Sequence, residues 1–66
     1  MIVEVREVRS RRLIGRVRVE GDVATAETGR SALLALAVVQ GVLRRAAGDT
    51  AALDGWTNGY VQVRAA

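Results

Sequence analysis

The stretch RSALLALAVVQGVLRRAA, from Arg30 to Ala47, contains no proline and no charge between Arg30 and Arg44. Apolar residues that recur every three or four positions over such a length are typical of an α-helix. The apolar arc of this helix covers roughly 220°, whereas a surface helix usually needs little over about 100°. The stretch therefore predicts the one long helix of a small α+β domain, with an apolar surface too wide for the remaining chain to cover.

The apolar surface of this helix divides into two flanks separated by an alanine seam. One flank contains Leu34, Val38 and Val42, the other contains Leu36, Val39 and Leu43, and the seam contains Ala32, Ala35 and Ala46. One interpretation is a helix buried by its own chain. We favour a helix with one flank in the core and the other against a partner, because contiguous exposed apolar patches usually mark interaction sites. The pattern does not choose between the flanks.

The residues that open the helix, 27–31, combine free N–H groups with a glycine, an arginine and hydroxyls, a set that can hold a phosphate. The spaced glycines and the lysine of a P-loop are absent. We therefore expect an ordinary N-cap at Thr28 or Ser31. At the other end, Gly48 is predicted to adopt the positive φ that follows a C-cap.

The long helix is not predicted to cross a membrane. A span needs about 20 apolar residues, whereas Arg44 and Arg45 interrupt this run after 13 uncharged residues. Its polar strip is also too sparse for a helix that lies in a membrane interface. The chain starts at Met1 with a strand-like segment and without a signal-peptide pattern. We expect a cytoplasmic protein, or one assembled from the cytoplasm into a particle.

The composition favours a single domain, 1–66, without catalytic function. A chain of 66 residues buries only about 60% of its unfolded surface, so association would add stability. The absence of Cys excludes disulfides and thiolate metal sites. His and Lys are also absent, which removes the usual general bases and nucleophiles. We expect no cofactor and no metal, and we interpret Asp49 and Asp54 as capping residues because they lack the carboxylate spacing of a calcium loop.

Residues 2–9 and 13–20 are predicted to form a hairpin around the loop Ser10–Arg12. The predicted register pairs Val3 with Val19, Val5 with Val17, Val8 with Ile14, and Glu4 with Arg18. This register places apolar residues together on one face and opposite charges together on the other. Glu7 falls on the apolar face, so we expect a bulge or a frayed end near it.

A second hairpin is predicted around Gly21-Asp22, as a two-residue type II′ turn. It pairs Val19 with Ala24, Val17 with Ala26, and Arg16 with Glu27. Both hairpins bury the same face of the central strand, which favours a three-stranded meander. The predicted inner face consists of Val3, Val5, Leu13, Gly15, Val17, Val19, Ala24 and Ala26.

Beyond the helix we expect a single helical turn between Asp49 and Gly55, followed by a turn at Asn58-Gly59. Trp56 is expected to plug one end of the core; the alternative for Trp56 and Tyr60 is a binding hot spot. Residues 60–64 alternate and predict a last strand. A right-handed crossover would place this strand parallel to the first, in the order 3-2-1-4. Pairing with a neighbouring subunit is the alternative.

Six of the ten arginines lie between Arg6 and Arg18, in a chain with a net charge of +3. Such clustering suggests a surface for nucleic acid or for an acidic partner, for which the candidate residues are Arg9, Arg11, Arg12 and Arg16. The alternative is a basic loop that is only solvated. Two observations weaken the nucleic-acid hypothesis. Acidic residues alternate with many of these arginines in the predicted sheet. No aromatic residue lies on that face to stack a base.

The sequence resembles no family that we recognise. The fold predicted is a β-β-β-α-β domain, an antiparallel meander with one long helix packed on one face and a C-terminal strand. The predicted function is a non-enzymatic structural or interaction module. It would act as a homo-oligomer or as a small component of a larger assembly, such as a phage particle or a mobile-element product. The alternative is a small arginine-rich nucleic-acid-binding regulator.

Overall fold

The computed structural model describes all 66 residues as a four-stranded antiparallel sheet with one helix packed on it. The strands are β1 (Ile2–Glu7), β2 (Leu13–Glu20), β3 (Val23–Thr28) and β4 (Val61–Ala65), and the helix is α1 (Ala32–Arg45). A 3₁₀ turn spans Thr50–Ala52 between α1 and β4. The strand order is β3-β2-β1-β4. The predicted α+β class, the meander and the strand order are confirmed.

The register of the β1–β2 hairpin differs from the prediction by two residues. Val3 pairs with Val17 and Glu4 with Arg16, because β1 already ends at Glu7 and the loop starts at Val8. A shift of two residues keeps every side chain on its predicted face, whereas a shift of one would not. The valines predicted to lie inside are therefore buried despite the wrong register: Val3, Val5, Val17 and Val19.

A bulge interrupts this hairpin between Val5 and Arg6, close to the irregularity predicted at Glu7. The extra residue on β2 is Ile14, since Val5 pairs with Gly15 and Arg6 with Leu13. Ile14 consequently packs against the core. The prediction of Leu13 as an inner-face residue is wrong, because a bulge exchanges the faces of the residues beyond it.

The β2–β3 hairpin has the predicted two-residue turn. Glu20 pairs with Val23 across Gly21-Asp22, and Gly21 has φ +62°. The predicted pairs Val19–Ala24 and Val17–Ala26 are both present. Beyond them a bulge between Arg16 and Val17 places Arg16 opposite Thr28 and not opposite Glu27.

Two glycines bring α1 onto β2 and β3. A Cβ on Gly15 would lie 2.9 Å from the Cα of Ala32 and 3.0 Å from the Cβ of Ala35. Gly29 has φ +133°, and a Cβ there would lie 2.4 Å from the Cα of Gly15. The start of the helix is thus set against the middle of the sheet by a contact that only glycine permits.

The ends of α1 differ from the prediction in detail. Ser31 is the N-cap, but its hydroxyl makes no capping hydrogen bond. At the C-terminus the amide of Gly48 donates to the carbonyl of Leu43 (2.8 Å) and that of Ala47 to Arg44 (3.3 Å), which is a Schellman motif. Ala47 has φ +54°, so an alanine occupies the left-handed position predicted for Gly48, and Gly48 follows it with φ +84°.

Strand β4 is antiparallel to β1, so the predicted parallel orientation is wrong. Residues 46–60, which we call the connecting segment, end in a tight hairpin at Asn58-Gly59. The amide of Val63 donates to the carbonyl of Trp56 and the amide of Gly55 to that of Val63, both at 2.8 Å. The reversal at Asn58-Gly59 therefore sets the direction of β4 and covers its outer edge, which leaves β3 as the open edge of the sheet.

The core lies between the sheet and two different covers. Helix α1 lies chiefly over β2 and β3. The connecting segment adds Leu53, which is fully buried, and the partly buried Ala52 and Trp56. Trp56 thus packs against the core as predicted. The guanidinium carbon of Arg45 lies 5.7 Å from the centre of its ring.

Candidate interaction surface

An apolar hollow lies at the end of the molecule where the loop after β1, the first turn of α1 and the Asn58-Gly59 hairpin meet. We call this surface the end patch. It has a volume of about 650 Å³, and its apolar residues are Val8, Ile14, Leu34, Tyr60 and Val61. Glu7 and Arg9 border it. The surface therefore combines an apolar centre with one acidic and one basic residue at its border.

Backbone hydrogen bonds hold Tyr60 at this surface. The Asn58 side chain accepts from the amides of Tyr60 (2.8 Å) and Val61 (3.0 Å). The carbonyl of Tyr60 accepts from the amide of Val8 at 2.9 Å. The backbone is thus fixed while the side chain remains 80% exposed. Because the backbone is already ordered, binding would restrict only the two side-chain torsions, and tyrosine is enriched among the anchor residues of interfaces.

The six helix residues predicted to carry an interface have different environments. Val39, Val42 and Leu43 are buried in the chain's own core. Leu36 and Val38 are half-buried against it, and Leu34 is 55% exposed.

Neither predicted flank is therefore free as a whole, which corrects the division of the helix into a core flank and a partner flank. The sheet meets the seam at Ala32 and Ala35, which lie against Gly15, so both flanks turn partly inward around these alanines. The sequence did not show that the small side chains of the seam would face the sheet. Of the six residues, Leu34 remains the one that is largely available to a partner.

The four arginines predicted to contact nucleic acid do not form one surface. Arg9 borders the end patch, while Arg12 lines a second depression beside Arg30. Arg11 lines a third depression on the outer face of the sheet. Arg16 is bound to Glu4, with Nη2 2.8 Å from Oε2. The hairpin loop thus distributes its positive charges in different directions.

Ion pairs organise the outer face of the sheet. Both oxygens of Glu4 are engaged, Oε1 by Arg6 and Oε2 by Arg16. The hydrogen bond from Arg6, aided by that from Arg16, lowers the pKa of Glu4 against the opposing effect of desolvation. Arg18 Nε lies 2.6 Å from Glu27 Oε1. That hydrogen bond raises the pKa of Arg18.

The two aspartates considered as metal ligands serve as backbone acceptors. Asp49 Oδ1 accepts from the amide of Ala51 at 3.0 Å, which confirms its predicted capping role. Asp54 Oδ1 accepts from the amide of Ala65 at 2.9 Å and holds the end of β4. Each carboxylate therefore has a structural contact where it stands.

Sequence reasoning missed most of the end patch. Val8 and Val61 were treated as ordinary strand residues, and Ile14 was not placed in the core. The hydrophobic signal was present, but these residues lie far apart in the chain, and only the antiparallel direction of β4 brings them together. Of the two aromatic residues named as a possible hot spot, Tyr60 is exposed and Trp56 packs against the core.

Comparison with protein-family models, with curated proteins and with solved structures finds no match. No helix of the chain combines the length and the apolar character that crossing a bilayer requires.

Proposed function

We propose that this chain is a non-enzymatic interaction module that self-associates through the end patch. It acts as a homo-oligomer or as a small component of a larger assembly, such as a phage particle or a mobile-element product. The single observation that carries the proposal is the clustering of Val8, Leu34 and Tyr60 around one hollow while each stays exposed.

Burial of this surface supplies a driving force for association. A tyrosine or other large aromatic side chain can bury about 150–250 Å². Burial is favourable by roughly 25 cal/mol per Å² of apolar area. Tyr60 is 80% exposed and Leu34 is 55% exposed, so most of their area is available to a partner. Aromatic residues such as Tyr60 are enriched at the apolar centre of interfaces, and charged residues lie at the rim.

The partner we propose for this surface is a second copy of the same chain. The patch contains both a projecting side chain, Tyr60, and a hollow, so two copies related by a twofold axis can each fill the other. The same axis can place Glu7 of one copy against Arg9 of the other. The chain also has a small core, with 11 of 66 residues buried. A domain with so little core gains stability from association.

The test compares two matched substitutions in the first turn of α1. Leu34→Glu places a charge in the end patch, whereas Leu33→Glu places the same charge on the neighbouring residue, which is 77% exposed and lies outside the hollow. Helix propensity and the favourable interaction of an acid with the helix N-terminus are nearly the same for both.

We expect sedimentation velocity to show association of the wild type and of Leu33→Glu as concentration rises. Leu34→Glu should weaken association at least about tenfold, because an unpaired charge in an apolar contact is strongly unfavourable. The proposal is wrong if the wild type stays monomeric at high micromolar concentration. It is also wrong if Leu34→Glu associates as the wild type does.

A further inference from the structure

The depression that Arg11 lines on the outer face of the sheet has a volume of about 480 Å³ and lies where β1 and β4 meet the loop after β1. Its lining consists of Arg6, Val8, Arg11, Gln62 and Arg64. Three of these five residues are arginines and none is acidic. We call this surface the arginine hollow.

The strand register places two of these residues side by side. Arg6 pairs with Gln62 across β1 and β4, and Glu4 pairs with Arg64. The Glu4 carboxylate would ordinarily neutralise Arg64, but its two oxygens are taken by Arg6 and Arg16. No ion pair and no side-chain hydrogen bond within the chain engages the guanidinium of Arg64. Its charge therefore remains available at the hollow.

Arg6 holds the floor of the hollow in place. Its Nε and Nη2 donate to Glu4 Oε1 at 3.3 and 3.1 Å, and its Nη1 donates to the backbone carbonyl of Arg11 at 3.0 Å. One guanidinium thus joins strand β1 to the loop that carries Arg11. A ligand that binds here meets a site whose base is already ordered, which lowers the entropic cost of binding.

Arg11 occupies an unusual backbone position. Its φ is +63°, a left-handed conformation that glycine adopts freely but that is strained for a residue with a Cβ. The bond from the amide of Arg11 to the carbonyl of Glu7, at 2.8 Å, fixes this geometry. The Arg11 guanidinium makes no ion pair or hydrogen bond within the chain. An arginine held in a strained position, with its charge unused internally, indicates a role outside the fold.

The lining of the hollow carries positive charge only. Arg6, Arg11 and Arg64 line it and no carboxylate does. Glu4, the nearest acidic residue along β1, is bound on both oxygens by Arg6 and Arg16. Closely spaced positive charges of this kind attract multiply charged anions.

We infer that the arginine hollow is a binding site for a phosphate group. Arg11 and Arg64 supply the two free guanidinium forks, Gln62 offers an amide donor, and Arg6 contributes fixed positive charge. Guanidinium forks match phosphate oxygens with paired hydrogen bonds, and the closely spaced charges suit a dianion better than a carboxylate. The hollow contains no aromatic side chain, so it has no platform on which to stack a base. The group recognised is the phosphate itself, either free or as part of a phosphodiester backbone.

The test follows the arginine Nε–Hε resonances of ¹⁵N-labelled protein during titration with inorganic phosphate at constant ionic strength, with chloride as the balancing anion. The Arg11 and Arg64 signals should move and saturate. Arg11→Asn and Arg64→Gln should each weaken binding about tenfold or more, since a charged hydrogen bond contributes about 1.5–3 kcal/mol. Asparagine tolerates a left-handed φ, so Arg11→Asn removes the charge without threatening the fold.

Arg44→Gln is the matched control, because Arg44 is also exposed and free of ion pairs but lies on α1 away from the hollow. It should bind phosphate as the wild type does. A short DNA duplex, titrated in parallel, distinguishes the source of the phosphate. If the site reads a backbone, the duplex moves the same two signals and competes with free phosphate; if it reads a free phosphate group, the duplex leaves them unmoved. The inference is overturned if neither probe gives saturable shifts, or if Arg44→Gln weakens binding as much as the hollow variants do.

Discussion

The two halves of this small core are closed in different ways. Over β2 and β3 the cover is a regular helix, held close by the Gly15–Gly29 contact. Over β1 and β4 it is the connecting segment, which has one 3₁₀ turn and adds a single fully buried side chain, Leu53. The end patch lies where the second cover ends, beside Tyr60. The regular cover also leaves apolar side chains exposed, at Leu33 and Leu34 in its first turn. The end patch combines Leu34 from the helix with Tyr60 from the connecting segment, so it forms where the two covers meet.

Gly29→Ala should destabilise the packing of α1 on β2 and β3, and it is expected to have the largest effect on stability. The new Cβ would lie 2.4 Å from the Cα of Gly15, at a φ of +133° that alanine rarely adopts. Strain and overpacking together should cost about 4 kcal/mol. Urea unfolding should show this loss as a lower midpoint. Gly55→Ala is the control, since Gly55 also has a positive φ but a Cβ there meets nothing within 4 Å. If both variants lose the same stability, the close contact contributes nothing beyond backbone strain.

Leu53→Ala should weaken the half closed by the connecting segment. Leu53 is fully buried, and truncation of a buried leucine costs about 2–5 kcal/mol. We expect a loss of about 3 kcal/mol in the free energy of unfolding. Such a loss would show that Leu53 of the connecting segment is packed as tightly as a core leucine usually is. Hydrogen exchange should also show faster opening of β4 than of β2. A loss below about 1 kcal/mol would instead mean that this cover is only loosely packed.

Ala47→Gly should stabilise the boundary between the two covers. Ala47 has φ +54° at the end of α1, where glycine is about 1 kcal/mol more favourable than alanine. Thermal unfolding should therefore shift upward by a few degrees, as expected for a gain of about 1 kcal/mol in a domain of this size. Ala51→Gly, at an exposed residue in the 3₁₀ turn, should instead lower stability. An unchanged or lower melting temperature for Ala47→Gly would contradict the conclusion that the positive φ of Ala47 lowers the stability of the protein.

Lowering the pH should reduce the free energy of unfolding through Glu4 on the outer side of β1. This is the smallest of the four expected effects. The hydrogen bond from Arg6, aided by that from Arg16, lowers the pKa of Glu4 below its usual value of 4.5. A carboxyl with a lowered folded-state pKa contributes stability that is present above its unfolded pKa and is lost as the pH falls through the folded one. The difference in stability between wild type and Glu4→Gln should therefore shrink as the pH is lowered below about 4.5. A difference that does not change with pH would show that the carboxylate charge contributes nothing.

Local patterns were sufficient to predict the faces of the strands but not their partners. Val3 and Val17 were assigned correctly to the core because alternation determines the face of each residue. Their pairing was wrong because a shift of two residues leaves that alternation unchanged. The second hairpin was predicted with its register because Gly21-Asp22 specifies a two-residue turn. The loop of the first hairpin has no such signal. It depends on a left-handed conformation at Arg11, which the residue type does not predict.

The candidate surfaces were the least predictable feature. Leu34 was among the predicted interface residues, and Arg11 was among the predicted anion contacts. Their neighbours in space, Tyr60 and Arg64, come from the other end of the chain. Both reach these positions because β4 runs antiparallel to β1. That direction depends on the hairpin at Asn58-Gly59, which was predicted as a turn but not as the reversal that sets the orientation of the strand.

The sequence by itself determined the α+β class, the three-stranded meander, the helix and the inward-facing valines of the strands, because periodicity and turn chemistry act over a few neighbouring residues. Only the tertiary structure decided the register of the first hairpin, the direction of β4 and the side of α1 that meets the sheet. These features depend on contacts between residues distant in the chain, where several arrangements satisfy the same local pattern and packing selects one. The end patch and the arginine hollow are consequences of that selection.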